Sequence, residues 1–187
     1  ASDKHCSRGV SPPNSGMSSL LHAIGAIPNF TDIIKIFVMI YKTILIMKTK
    51  KLNLGIVGGG SKSWIGHVHR IAARYDDQYE IVAGVFSRNV KSSIEFGRKI
   101  GISKDRCYSN YKQMATEESK RNDGINVVSI MTPPSSHQII AETFIDKNIN
   151  IISDKPFAGN LEQAKKLYKK IKSNKKLKYA LTHNNSA

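Results

Sequence analysis

Two hydrophobic periods alternate along this chain. Positions 52–57 (Leu-Asn-Leu-Gly-Ile-Val) are near-continuously apolar, as a central parallel strand should be. Positions 65–75 then carry Ile65, Val68, Ile71 and Ala72 at helical spacing, and Asp76-Asp77 breaks the run. The same alternation repeats downstream. It predicts strands at 79–86, 125–131, 150–153 and 179–182, and helices at 90–100, 110–118, 135–147 and 161–173. Ile139, Ile140, Phe144 and Ile145 form the expected apolar face of the 135–147 helix. The punctuation agrees: Gly101 ends one helix, Thr132-Pro133-Pro134 stops a strand, and Asn160 is placed to cap the last helix. Such a βαβαβαβαβ order predicts an α/β fold, a doubly wound parallel sheet with right-handed crossovers. No internal repeat is visible.

Little before Met47 follows either period. Residues 1–28 mix Ser, Pro, Gly and His, and 33–47 turn apolar. Three readings of this extension stand. Met47-Lys48-Thr49-Lys50-Lys51 before a strand resembles a natural protein start, which makes 1–46 a leader without an evolved fold. An amphipathic helix packing on the domain or a partner is the second, and membrane contact the third. A spanning helix needs about 20 mostly apolar residues, and this run is shorter and carries Lys35 and Lys42. A signal peptide has its basic residues first and a small-residue cleavage site after, and neither is present here. The expected organisation is therefore an extension over 1–46 and a single nucleotide-binding domain over 47–187.

Length and charge limit the choices. A chain of 187 residues builds one good core. Its 29 Lys+Arg against 14 Asp+Glu give a net charge of +15, which raises nucleic acid as a partner. The excess has no aromatic-interleaved arginine patch. Its densest part is a lysine series from Lys165 to Lys178, spread round a helix and its exit, as on a solvated face. The expectation is no nucleic acid and no membrane. Cys6 and Cys107 have neither disulfide-framework nor zinc-site spacing. A reducing, cytoplasmic setting follows, with no metal.

In an open α/β sheet, ligands lie beyond the carboxyl ends of the strands. The first such end is Gly58-Gly59-Gly60, running through Ser61, Trp64 and Ile65 into a helix. Glycines let the backbone approach a diphosphate, and the helix N-terminus favours its charge. The pattern departs from G-x-G-x-x-G, because Ser63 stands where the third glycine belongs. An enlarged 61–64 loop is expected, with Gly66 in the packing role. The second end carries Ser87 and Arg88 where an NAD site usually has Asp or Glu. A hydroxyl and a guanidinium suit a 2′-phosphate and favour NADP over NAD. The third end is Thr132-Pro133 with His137, the fourth Asp154-Lys155-Pro156, and Thr182-His183-Asn184 follow the fifth. A lysine beside a buried strand is unusual because desolvation penalises its charge. Pairing with Asp154 is the structural alternative, and the Lys155–Pro156 bond is open to a cis form.

Taken together, Gly-Ile-Val-Gly-Gly-Gly at 55–60, Gly66 with Val68-His69-Arg70, Ser87-Arg88, Thr132-Pro133 with His137, Asp154-Lys155-Pro156 and Thr182-His183-Asn184 resemble the N-terminal half of the glucose–fructose oxidoreductase/inositol dehydrogenase/rhizopine catabolism (Gfo/Idh/MocA) family. The resemblance runs from Leu52 to Asn184. It implies a Rossmann domain binding NADP or NAD and serving hydride transfer on a sugar, cyclitol or related polyol. It implies that Lys155 contacts substrate and nicotinamide, and that Thr132 and Pro133 line the cofactor. The family's usual Glu is Asp154 here, one methylene shorter. It further implies a second, α+β domain with the acid/base histidine, the substrate pocket and a homo-oligomer interface, expected beyond Ala187. His67, His69, His137 and His183 do not replace that histidine by default, and each has a structural or cofactor-edge alternative. The competing reading is a dinucleotide-binding or regulatory module without turnover.

Overall fold

The structure is a computed structural model and describes residues 30–47 and 50–183. The chain divides into two compact units, Ala1–Thr49 and Lys50–Ala187. In the first, α1 spans Phe30–Met47. Most of its described side chains are exposed, apolar ones included: Phe37 and Tyr41 are more than 60% accessible. Among the described residues no helix is long and apolar enough to cross a membrane.

The second unit is a parallel five-stranded sheet in the order β2-β1-β3-β4-β5. Its strands are β1 (Leu52–Gly58), β2 (Tyr79–Val85), β3 (Val127–Met131), β4 (Asn150–Asp154) and β5 (Tyr179–Thr182). The helices are α2 (Trp64–Tyr75), α3 (Val90–Lys99), α4 (Tyr111–Glu118), α5 (Pro134–Ile145) and α6 (Leu161–Ser173), with a 3₁₀ turn at Lys104–Arg106. The expected doubly wound sheet is present, with boundaries within two residues. The strand order reverses between β2 and β3, which flank β1, so the crevice of such folds opens at the ends of β1 and β3.

The strands are apolar because they are covered. All five residues of β3 are buried. Val128, Ile130 and Ile151 pack with Met114 of α4, Phe144 of α5 and Leu167 of α6. Ile56 and Met131 pack with Phe86, Ile102 and Cys107 in a second cluster. Each large side chain buried this way contributes about 1.5–3 kcal/mol. Burial and a neighbouring acid, Asp105, push the Cys107 thiol pKa up; Cys6 lies outside the described residues. The α6 lysines stand at the surface, where Lys166 pairs with Glu142 at 3.5 Å and Lys170 with Asp146 at 2.7 Å.

Two helices turn differently from expectation. The buried face of α2 is Gly66, Arg70 and Ala73, while Ile71 is 54% exposed. The helix lies against the backbone of the preceding turn, so small residues are needed there. Ile65, Val68 and Ala72 line a cavity of about 260 Å³ instead. On α5 the buried set is His137, Ile140, Ala141, Phe144 and Ile145, and Ile139 is half exposed.

Candidate functional site

The site begins with the turn after β1. Gly58 and Gly59 have φ of 89° and 63°, a region that side chains disfavour. A Cβ at Gly58 would also run into the Met131 backbone, and one at Gly66 would meet Gly59. The expected packing role of Gly66 is thus seen. The Ser63 N–H donates to Gly60 O at 2.9 Å, and Ser63 Oγ caps α2 by accepting from Gly66 N at 3.0 Å. Ser63 is a cap, which is why the third glycine is displaced. The loop ends there: Trp64 is already the first helical residue.

A cleft of about 730 Å³ opens along the ends of β1, β2 and β3. It brings together Gly58, Gly59, Ser87, Arg88, Thr132 and Pro133 from the expected set. Ser87 Oγ accepts from Asn89 N at 3.1 Å, which holds the hydroxyl at the head of α3. Arg88 beside it is exposed. Ser136 Oγ lies 2.8 Å from Thr132 Oγ1 and donates to Pro133 O at 2.7 Å, fixing the β3 loop. Gly60 and Ser61 adjoin the cleft as part of the turn.

Other expected contacts lie elsewhere. The Trp64 side chain is 73% exposed at the start of α2. Ile65 packs toward the Ile56–Phe86–Met131 cluster and is not among the cleft residues. His137 is corrected most clearly. It is 1% exposed, with Nδ1 2.8 Å from Pro156 O and Nε2 2.7 Å from Thr132 O. Both partners are carbonyl oxygens, so no ring nitrogen is left to face a cofactor. The ring ties the β3 loop to the β4 loop.

Asp154 and Lys155 close β4, one strand beyond β3. Lys155 is exposed and, among the described residues, makes no ion pair. Asp154 does not pair with it. Its Oδ1 accepts from Thr182 Oγ1 at 3.0 Å and lies 3.8 Å from His69 Nε2. The Lys155–Pro156 peptide is cis.

Two groups were given no role in the site from the sequence. Ser109, Asn110 and Tyr111 line the cleft together with Arg88. Tyr108 N donates to Gly84 O at 3.0 Å, which draws this segment alongside β2. Asn110 caps α4, and a cap residue at the carboxyl edge of a sheet was the available signal. The second is Arg70, four residues after Gly66 on the inner face of α2. Burial and the nearby Arg74 lower its pKa.

The residues fit a dinucleotide. A Cβ on Gly58 or Gly60 would fill the space against the Met131 and Phe86 carbonyls, and an α-helix starts at the turn. Residues 52–183 match the model of the oxidoreductase family with the NAD-binding Rossmann fold, GFO_IDH_MocA. The chain belongs to this family. The Gfo/Idh/MocA chain is 39% identical over 109 residues to the uncharacterized oxidoreductase YfiI of Bacillus subtilis, a match covering 58% of this chain and 28% of that protein. The oxidoreductase from Sinorhizobium meliloti superposes with a TM-score of 0.69 at 43% identity, over 73% of this chain and 38% of that one. An inositol dehydrogenase homolog from Azotobacter vinelandii, complexed with NADH and myo-inositol, gives 0.69 at 32% identity, over 72% and 35%. The chain thus spans roughly a third of the length of these relatives. Its cofactor class is NAD, as its family's fold defines.

Proposed function

We propose that this chain is the nucleotide-binding part of an NAD(P)-dependent oxidoreductase that transfers a hydride to or from a sugar, cyclitol or related polyol. The observation that carries this is the order of strand ends. Ser87 and Arg88 follow β2, the glycines follow β1, Thr132 and Pro133 follow β3, and Lys155 follows β4. That order matches a dinucleotide laid across the sheet: adenosine, diphosphate, then nicotinamide riboside. The polyol reading is supported by the inositol dehydrogenase relative, whose structure holds myo-inositol.

The dinucleotide, when bound, supplies the hydride donor or acceptor. The chain's residues do the rest on the cofactor side. The Gly58–Gly60 turn and the start of α2 hold the diphosphate, and Thr132 and Pro133 wall the nicotinamide end. Lys155 places an ammonium where a carbinol oxygen gains charge, which lowers the cost of the alkoxide or relays its proton. In this reading the acid/base partner and the substrate pocket belong to the remaining two-thirds of such proteins, as does any homo-oligomer interface. Residues 1–46 are an extension outside the nucleotide-binding domain.

Ser87 and Arg88 favour NADP, since a guanidinium attracts a 2′-phosphate. Fluorescence titration with NADPH and NADH tests the reading, using the single tryptophan at α2 as the reporter. Saturable binding with NADPH about tenfold tighter is expected for one added charge-assisted contact. Equal affinity, or tighter NADH, removes the 2′-phosphate assignment. Binding of neither overturns the nucleotide function.

A further inference from the structure

Four elements converge behind Lys155. His69 projects from α2, Ser129 from the middle of β3, Asp154 from the end of β4 and Thr182 from the end of β5. His69 Nδ1 is 3.0 Å from Ser129 Oγ, and His69 Nε2 is 3.8 Å from Asp154 Oδ1. The same carboxylate oxygen accepts from Thr182 Oγ1 at 3.0 Å. Asp154 and Thr182 are register partners on neighbouring strands, so their side chains share a face of the sheet. The imidazole is 11% exposed and the carboxylate 18%, so neither depends chiefly on water for its partners. A buried carboxylate needs such partners, and hydrogen bonds in this setting are stronger than at the surface.

One tautomer satisfies the whole set. With the proton on Nε2, the ring accepts a hydrogen bond from the Ser129 hydroxyl at Nδ1 and turns its N–H toward Asp154, 3.8 Å away, an electrostatic contact longer than a hydrogen bond. Ser129, with His69, Asp154 and Thr182, lies at the wall of the 260 Å³ cavity, but at 2% exposure its hydroxyl presents too little surface for attack on a substrate. The arrangement holds structure rather than doing chemistry. What it holds is the residue before Lys155. On the far side, Pro156 O is fixed by His137. The lysine's backbone is thus gripped at both neighbours, through the Asp154 side chain and the Pro156 carbonyl, while its side chain stays exposed.

We infer that His69 and Thr182 are positioning residues that set the place of Lys155 at the nicotinamide end of the cleft by holding Asp154. This rests on the nucleotide-binding reading above. It links α2, whose start cradles the diphosphate, to the β4 loop, so the two ends of the cofactor site are held in register by one side-chain chain. A positioning role is felt by the nicotinamide half of a dinucleotide and not by the adenosine half.

The full 187-residue chain is titrated with NADH and with ADP-ribose, which lacks the nicotinamide. His69→Leu and Thr182→Val are each expected to weaken NADH three- to tenfold and to leave ADP-ribose within twofold of the parent. His69→Gln keeps a donor near the Nε2 position and Thr182→Ser keeps the hydroxyl, and both are expected to recover most NADH affinity. Equal weakening of both ligands, no recovery by the conservative variants, or no change in NADH overturns the proposal. If the parent chain binds ADP-ribose and NADH but the variants do not separate them, only the positioning role falls. If the parent binds neither, the nucleotide-binding reading falls and the positioning role with it.

Discussion

Arg70 Nη1 donates to the carbonyl oxygen of Gly59 at 2.5 Å. The guanidinium is buried and lies 5.0 Å from the centre of the Phe96 ring. A charged group is therefore placed against the glycine turn. It fixes the one peptide that both carries a positive φ and packs on Gly66.

Replacing Arg70 by Lys should loosen that turn. Lysine keeps the charge but has neither the planar fork nor the stacking face. Loss of a hydrogen bond to a charged donor costs about 1.5–3 kcal/mol. Chemical denaturation of Arg70→Lys should show a stability loss in that range, with NADH affinity reduced about tenfold. Unchanged affinity alongside the stability loss would separate the turn from cofactor binding.

Glu118 forms the most enclosed ionic group in the described residues. Arg106 reaches it through Nε at 3.0 Å and Nη2 at 2.5 Å, the Tyr108 hydroxyl donates at 2.7 Å, and Ile125 N donates at 3.2 Å. The Glu118 side chain is inaccessible and Arg106 is 8% exposed. Burial, reinforced by the hydrogen bond to Glu118, raises the Tyr108 pKa well above its ordinary value, so its hydroxyl keeps its proton. Glu118→Gln removes the buried counter-charge and leaves Arg106 with the exposed Asp123 carboxylate, 3.3 Å from Nη1, which should cost up to about 3–5 kcal/mol. Tyr108→Phe removes one donor and should cost about 1–3 kcal/mol. Urea melts of the two variants should rank in that order.

The cofactor preference is open to reversal. Arg88 is exposed beside Ser87 at the cleft edge, so its removal should leave the fold intact. Arg88→Ala should lower NADPH affinity about tenfold and leave NADH nearly unchanged, because a surface-accessible phosphate contact is charge-assisted. Adding Ser87→Asp places a carboxylate where NAD sites carry one, and should invert the NADPH-to-NADH ratio. An unaltered ratio in the double variant would assign the 2′ position to other residues.

The sheet was legible because its signals are local. Val127 to Met131 is apolar but for Ser129, and Thr132-Pro133-Pro134 stops it, so strand and boundary are written in adjacent residues. The glycine turn and its place before a helix were legible for the same reason. What sequence pattern could not reveal depends on the third dimension. His137 looked like a residue of the cleft, since it follows Thr132 and Pro133, yet one helical turn carries its ring inward to two carbonyls. Ile71 and Ile139 matched an apolar period but lie outside: α2 turns Gly66 to the glycine turn and Ala73 to Leu54 and Val127, and α5 turns Ile140, Ala141 and Phe144 inward. Ser109 to Tyr111 come to the cleft through the Tyr108–Gly84 contact, a long-range pairing that no local period records. Asp154 turning from Lys155 to Thr182 follows from strand register across β4 and β5.

His69 makes the stability of the domain depend on pH. Burial lowers its pKa below the ordinary 6.5, although the Asp154 carboxylate acts in the opposite direction. In the unfolded chain the imidazole titrates near 6.5, so between that value and the lower folded pKa the unfolded state binds more protons. Stability from this residue is therefore fully present above pH 6.5 and declines as pH falls through the window down to the folded pKa. His69→Gln cannot take up the proton. The melting temperature of the parent should drop more than that of the variant when pH is lowered from 7.5 to about 5.5, with the difference vanishing above neutrality. Parallel melting curves for the two proteins would mean that the Asp154 carboxylate compensates the burial of the ring in full. A larger acid loss in the variant would mean that the charged pair outweighs it, and that the ring is protonated in the folded chain.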